Sequence, residues 1–152
     1  MSEDKDLVLI FSISGCKYAI GLKDLVEVKE SSALLTKSSD EGSLGRIAFR
    51  GESIPLLDIK KRLGLISDSV VDGGSVVVRV GEAIVAFPVD VVEGVMEVYG
   101  RQMPFPDVML ENKGVFPFIY TREGRFVFSL NLSALFDEDY IANLNFHGKE
   151  GE

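Results

Sequence analysis

The chain has 152 residues, of which 46% are hydrophobic and 26% charged, and its formal net charge is −8. That length suits one domain or two small barrels sharing a core, and the composition excludes a wholly disordered chain. An acidic surface repels phosphate backbones and so argues against nucleic-acid binding, although its simplest role is solubility.

Leu7–Ser14 is rich in β-branched and aromatic residues and ends at Ser14-Gly15, and Lys17–Leu22 follows at once, so the pair reads as a hairpin. Asp24–Lys29 turns Leu25, Val26 and Val28 toward a core and Glu27 outward, with the adjacent Leu25-Val26 leaving the first register open. Glu30–Gly42 is Ser-rich and reads as a long loop. Leu44–Arg50 and Ser53–Leu57 flank Gly51-Glu52 as a second hairpin, with Gly51 relieving the turn. Gly45 also reads as a turn glycine, and Pro55 inside a strand pattern points to an edge or a bulge. Asp58 is placed to cap a short helix over Ile59–Leu63, and Gly64 to close it. Ser67–Gly74 is a polar connector.

Ser75–Val80 and Ala83–Val89 flank Gly81-Glu82, a third hairpin. Asp90 reads as a turn-stabilising acceptor. Asp90–Val98 then sets Val92, Val95 or Met96, and Val98 on an apolar side broken by Gly94. Tyr99–Gly114, with Pro104 and Pro106, reads as a loop. Val115–Thr121 and Arg125–Asn131 form a last hairpin around Glu123-Gly124, and Ser133–Phe136 looks like one helical turn before a polar tail over 137–152. About nine or ten short strands without long helices between them predict an all-β fold of antiparallel barrels. Each half offers hairpin, polar connector, hairpin and short helical turn, an internal echo that suggests two similar subdomains.

Little in the chain speaks for catalysis. His147 is the only histidine and lies in the polar tail, and Cys16 is the only cysteine. A Ser-His-Asp or Cys-His centre would have to use His147, and nothing around it suggests a fixed position; a metal cluster of the usual His and Cys spacing cannot be built from one of each. Neither common phosphate-cradling glycine loop is present. Clustered acids such as Asp58 and Asp90 could serve a small enzyme on a barrel scaffold, but solvated charge is the simpler reading. No cofactor is expected. The polar start MSEDKD lacks the features of a secretory signal, and no apolar run approaches the roughly 18 residues of a membrane span, so a cytoplasmic protein without membrane insertion is expected.

The stretch Gly45–Leu65, GRIAFRGESIPLLDIKKRLGL, resembles the most characteristic segment of CheW-like domains, which reads approximately G-V-x-N-L-R-G-x-x-x-P-(V/I)-(V/I)-D-L-x-x-x-(L/F)-G. Gly45, Arg50, Gly51, Pro55, Asp58 and Gly64 stand in register with it. Phe11–Val28 is similar to the family's opening, with Tyr18, Ile20 and Glu27 at matching places. Val85–Val95 is similar to its G-x-x-V-D-x-V-x-x-V segment, with Val89, Asp90, Val92 and Val95. Phe126–Phe136 is similar to its closing strand and helical turn. The resemblance runs in order from residue 7 to 136. Ala48-Phe49 replaces the usual Asn-Leu, Ala86 and Phe118 stand where Gly is common, and the loop Ser31–Gly42 lacks the usual prolines. These departures bear on partner identity more than on fold.

The resemblance implies two five-stranded SH3-like barrels, intertwined around a shared apolar core over residues 7–136, with a flexible start at 1–6. It implies a non-catalytic adaptor in bacterial chemotaxis that binds the regulatory domain of the histidine kinase CheA and the cytoplasmic tip of chemoreceptors at membrane-associated arrays. A groove between the barrels would receive receptor helices, a mode that needs apolar walls and a few fixed charges. By match with the family, Leu22, Leu25, Val89 and Val92 would form apolar wall, and Glu27 and Arg50 would supply charge. On spacing alone Leu22, Leu25 and Val92 read as plain core, and only the resemblance assigns them to the wall. Arg50 could instead brace the fold through loop carbonyls. Alternatives are a scaffold for a non-chemotaxis receptor-kinase pathway, a small-molecule sensor with a pocket between barrels, and the small enzyme above.

Overall fold

A computed structural model describes residues 5–30, 34–37, 43–65, 74–99, 103–104 and 118–136. The expected tail over 137–152, with His147, residues 1–4 of the expected start and all of the connector Ser67–Gly74 but Gly74 lie outside the described residues, while Lys5 and Asp6 already belong to the first strand. The first half runs β1 (Lys5–Ile13), β2 (Cys16–Gly21), a 3-10 turn (Leu22–Asp24), β3 (Leu25–Lys29), β4 (Leu34–Lys37), β5 (Ser43–Phe49), β6 (Glu52–Leu57) and helix α1 (Ile59–Arg62). The second runs β7 (Ser75–Val80), β8 (Ala83–Pro88), β9 (Val91–Tyr99), the two-residue β10 (Met103–Pro104), β11 (Phe118–Arg122), β12 (Arg125–Ser129) and helix α2 (Leu132–Leu135). The all-β expectation holds. β4 lies inside what reads as a loop in the sequence, because Leu34–Lys37 pairs with β5.

The strands form two sheets, each of five principal strands and one short outer strand. One has the order β10-β11-β12-β2-β1-β9, and the other reads β4-β5-β6-β8-β7-β3. The two orders correspond strand for strand, which gives the internal echo a structural meaning. The opening hairpin of each half pairs with the closing strands of the other half. The exchange is sealed by two parallel pairs, β12 with β2 and β6 with β8. Parallel neighbours need a long crossover and leave no local turn signal, so hairpin reading alone sees only antiparallel pairs.

Matching positions carry matching chemistry. A bulge places Val26 opposite the Val77/Val78 step in one sheet, and another places Glu93 opposite the Ile10/Phe11 step in the other. The first bulge resolves the Leu25-Val26 ambiguity: Leu25 packs on one core and Val26 on another. The second sends Val92 to the shared core and Met96 and Val98 to a second core, leaving Val95 exposed. Asp58 and Asn131 hold the same place and cap α1 and α2, Asp58 Oδ1 accepting from Lys61 N at 3.2 Å and Asn131 Oδ1 from Ser133 N at 3.1 Å. α1 ends as the sequence predicts, with Gly64 N donating to Lys61 O and Leu65 N to Lys60 O, the paired bonds of a Schellman cap.

Both faces of each sheet are apolar because each covers a different core. Leu9, Phe11, Ile20, Val76, Val78, Phe87 and Phe136 belong to the shared core between the sheets. The intervening Val8, Ile10 and Ala19 fill a private core of the first sheet, and Ile47, Leu56, Val77 and Ala86 one of the second. Arg62 Nε of α1 donates to Leu135 O of α2 at 2.8 Å, joining the two helical turns beside the shared core.

Three local expectations are corrected. The second hairpin turns at Arg50-Gly51, not Gly51-Glu52, because Phe49 pairs with Glu52. Gly45 is no turn glycine: it sits at a bulge in β5 with φ 143°, a region that side chains avoid. Pro55 is on an interior strand, not an edge. It pairs with Arg46 on one side, while on the other the bridge to β8 is confined to Leu56. A residue with no N–H to donate therefore interrupts little of the ladder.

Candidate partner-binding site

Arg50 is the first central residue of a two-residue turn, with φ 52° at Arg50 and 83° at Gly51. Positive φ at both positions matches a type I′ hairpin, whose twist fits the flanking strands. Asn, Asp or Gly is the usual occupant of the first position, so an arginine there holds some backbone strain. The turn projects the side chain clear of the sheet: the Arg50 side chain is 66% exposed. Its Nη2 donates to Glu27 Oε1 at 3.3 Å, across from β3. Its guanidinium carbon lies 4.7 Å from the centre of the Phe49 ring. The two charged residues proposed from the sequence therefore meet, although 23 positions separate them.

The apolar candidates divide. Leu25 and Val92 are half-buried, hold equivalent places on β3 and β9, and pack against the shared core. Leu22, in the 3-10 turn, is half-buried as well. Val89 is only 5% exposed and belongs to the shared core, so its side chain forms no surface wall; its N–H donates to Gly74 O. An open groove of about 600 Å³ runs along β1, β2 and the start of α2, lined in part by Leu7, Leu22, Tyr120, Leu130 and Leu132. Of the six proposed contact residues it takes in Leu22 alone.

The remaining named residues serve the frame. Asp90 accepts from Ser14 N at 2.8 Å, its own N–H donates to Ser12 O, and its second oxygen lies 3.9 Å from Lys60 Nζ. It is the acceptor expected from the sequence, but it ties a turn in one sheet to α1 beside the other. The carbonyl-bracing role considered for Arg50 belongs to Arg46, which donates from Nε to Ser53 Oγ and from Nη2 to Ser53 O, both at 2.9 Å. Asp58, the other acid singled out in the sequence, caps α1. Beside Glu93 lies Lys17 as an ion-pair partner. Burial pushes the Tyr18 hydroxyl up to about 12, with the nearby Cys16 adding to the shift.

Sequence reasoning missed Phe49 as a partner of Arg50, although an aromatic residue in place of the family's usual leucine was a visible signal. It also missed the exposed apolar residues Leu7, Val91 and Phe126. Among the described residues no group of three His, Cys, Asp or Glu could hold a metal ion, and no helix is long and apolar enough to cross a membrane.

The sequence matches the family model of the CheW-like domain over residues 7–139. No curated protein matches it closely. The crystal structure of the scaffolding protein TtCheW from Thermoanaerobacter tengcongensis superposes with a TM-score of 0.78 at 23% identity, over 90% of this chain and 96% of that one. At that identity the superposition speaks for the fold. The family match spans both sheets, both helical turns and the Arg50 hairpin, and by it the chain belongs to the CheW-like domain family.

Proposed function

We propose that this chain is a non-catalytic scaffold that couples chemoreceptors to the histidine kinase CheA. It would bind the regulatory domain of the kinase and the cytoplasmic tip of the receptor, working in the cytoplasm at receptor arrays, with residues 7–136 as the binding unit. The observation that carries this reading is the signature segment within the family match. Gly45–Leu65 builds a bulged hairpin and the helix after it, and the hairpin's turn lifts Arg50 out of the sheet beside Glu27. A solvent-facing charge pair is suited to partner recognition, where charge sets partner choice and encounter rate. Leu22, Leu25 and Val92 would add apolar contact, with Val89 supporting them from the core.

The test is reconstitution from purified parts: the full chain, the regulatory domain of CheA from the same host and a receptor-tip fragment. Co-elution of all three on size exclusion, with kinase activation in a receptor-containing array, is the expected result. Failure to bind either partner would overturn the proposal.

A further inference from the structure

We infer that Phe49 is the positioning residue for the Arg50 contact: its ring fixes the guanidinium, together with Glu27, so that the free edge receives a carboxylate of the binding partner. The inference rests on the adaptor reading above and adds to it the chemistry of one contact.

Three observations carry it. First, Arg50 stands at the tip of its hairpin in the left-handed conformation that Ser14 and Glu123 share in their own X-Gly turns, so a long cation occupies a position where a small residue would be less strained. Second, the long and otherwise mobile side chain is held on two sides, by the Phe49 ring at 4.7 Å and by Glu27 at 3.3 Å. Third, the ring is itself immobile. Phe49 is 8% exposed and packs with Ile47, Ile54 and Leu56 in the private core of the second sheet. The platform is therefore part of the fold, whereas the cation resting on it is two-thirds exposed.

Stacking engages the face of a guanidinium and leaves its N–H edge available. Glu27 accepts from Nη2; among the described residues no other protein acceptor meets Arg50. A planar fork with donors to spare matches a carboxylate, in one or two charge-assisted hydrogen bonds. Holding the fork in place before binding removes part of the ordering cost that a free arginine would bear on association. A leucine at position 49 would fill the core but offer no π face.

The experiment has two arms. The first uses the free protein and needs no partner. In NMR spectra the Arg50 Nε–H proton should be shifted upfield by the ring current of Phe49, with a side-chain order parameter above those of other exposed arginines. Phe49→Tyr should keep both signatures and Phe49→Leu should lose both. An Arg50 signal at the position and mobility of a free arginine in wild type would overturn the inference whatever the chain binds, and it stays decisive if Phe49→Leu fails to fold.

The second arm measures affinity for the CheA regulatory domain and the receptor tip. Phe49→Leu should weaken binding of the partner that meets Arg50 by about two- to fivefold, the range expected for an exposed cation–π contact. Phe49→Tyr should bind as wild type. In an Arg50→Ala background Phe49→Leu should have no further effect on binding. Equal losses from Phe49→Leu with and without Arg50 would overturn the positioning role. Wild-type protein that shows the NMR clamp and binds neither partner would overturn the adaptor reading and with it the role of the clamp in recognition.

Discussion

Replacing Leu56 by aspartate tests whether the private core of the second sheet sits where the fold places it. Leu56 is 0% exposed, faces Gly45 across β5 and carries the bridge to Ala86 of β8. It therefore stands where the first half's closing hairpin meets the second half's opening one. Losing the buried leucine forfeits roughly 1.5–3 kcal/mol of apolar burial. The new carboxyl has Ile47, Ile54, Val77 and Ala86 around it and no polar partner. A pKa raised by about three units, to near 7, costs about 4 kcal/mol more at pH 7. The sum, about 5–7 kcal/mol, matches the whole stability of many domains. Leu56→Asp should therefore unfold the chain or lower its midpoint by more than about 10 °C. Circular dichroism melts against pH are the assay. The folded-state pKa of the new carboxyl is raised, so the deficit is smallest when both states are protonated, below about pH 3, and grows as pH rises to about 7. Ala48→Asp, exposed on β5, should shift stability by no more than about 1 kcal/mol. A cooperative Leu56→Asp melt within about two degrees of wild type at pH 7 would refute the core assignment.

Arg50→Gly should keep or raise the melting temperature, because glycine relieves the positive φ, while weakening partner binding by about 1–3 kcal/mol; a melt and a titration on one sample separate the two. If melting and binding fall together, Arg50 is a brace and not a contact. Tyr18 should ionise late, near 12, when absorbance at 295 nm is followed against pH. Because its folded pKa lies above the usual value of about 10, its contribution is intact below pH 10 and on the order of 2 kcal/mol is lost between about pH 10 and 12; Tyr18→Phe should flatten that alkaline decline. Millimolar EDTA or added nucleotide should leave the thermal midpoint unchanged, and a reproducible upward shift with a ligand would instead favour a sensor or an enzyme.

Much of the local structure was legible in the sequence. Ser14-Gly15, Gly81-Glu82 and Glu123-Gly124 mark their turns, since few residue pairs accept the backbone angles of tight hairpins. Asp58 and Gly64 mark both ends of α1 for the same kind of reason. The internal echo is real, and the spacing of Gly45, Arg50, Gly51, Pro55, Asp58 and Gly64 identified the family. These are signals of short range, in which a residue's own conformational preference is the cause.

What the tertiary structure decided lies at long range. Period-two alternation shows that a strand face is apolar but not what covers it, so Val89 and Val92 read alike although one is core and the other half-exposed. Bulges at Val26 and Glu93 switch faces in mid-strand, which no local pattern announces. The meeting of Glu27, Phe49 and Arg50 depends on β3 and the β5–β6 hairpin lying in one sheet, joined through β7 and β8. Each half contains the parts of a sheet in order. That each opening hairpin pairs with the other half is a choice between pairings with similar local signals, and it is settled by the core that the two exchanged sheets bury between them.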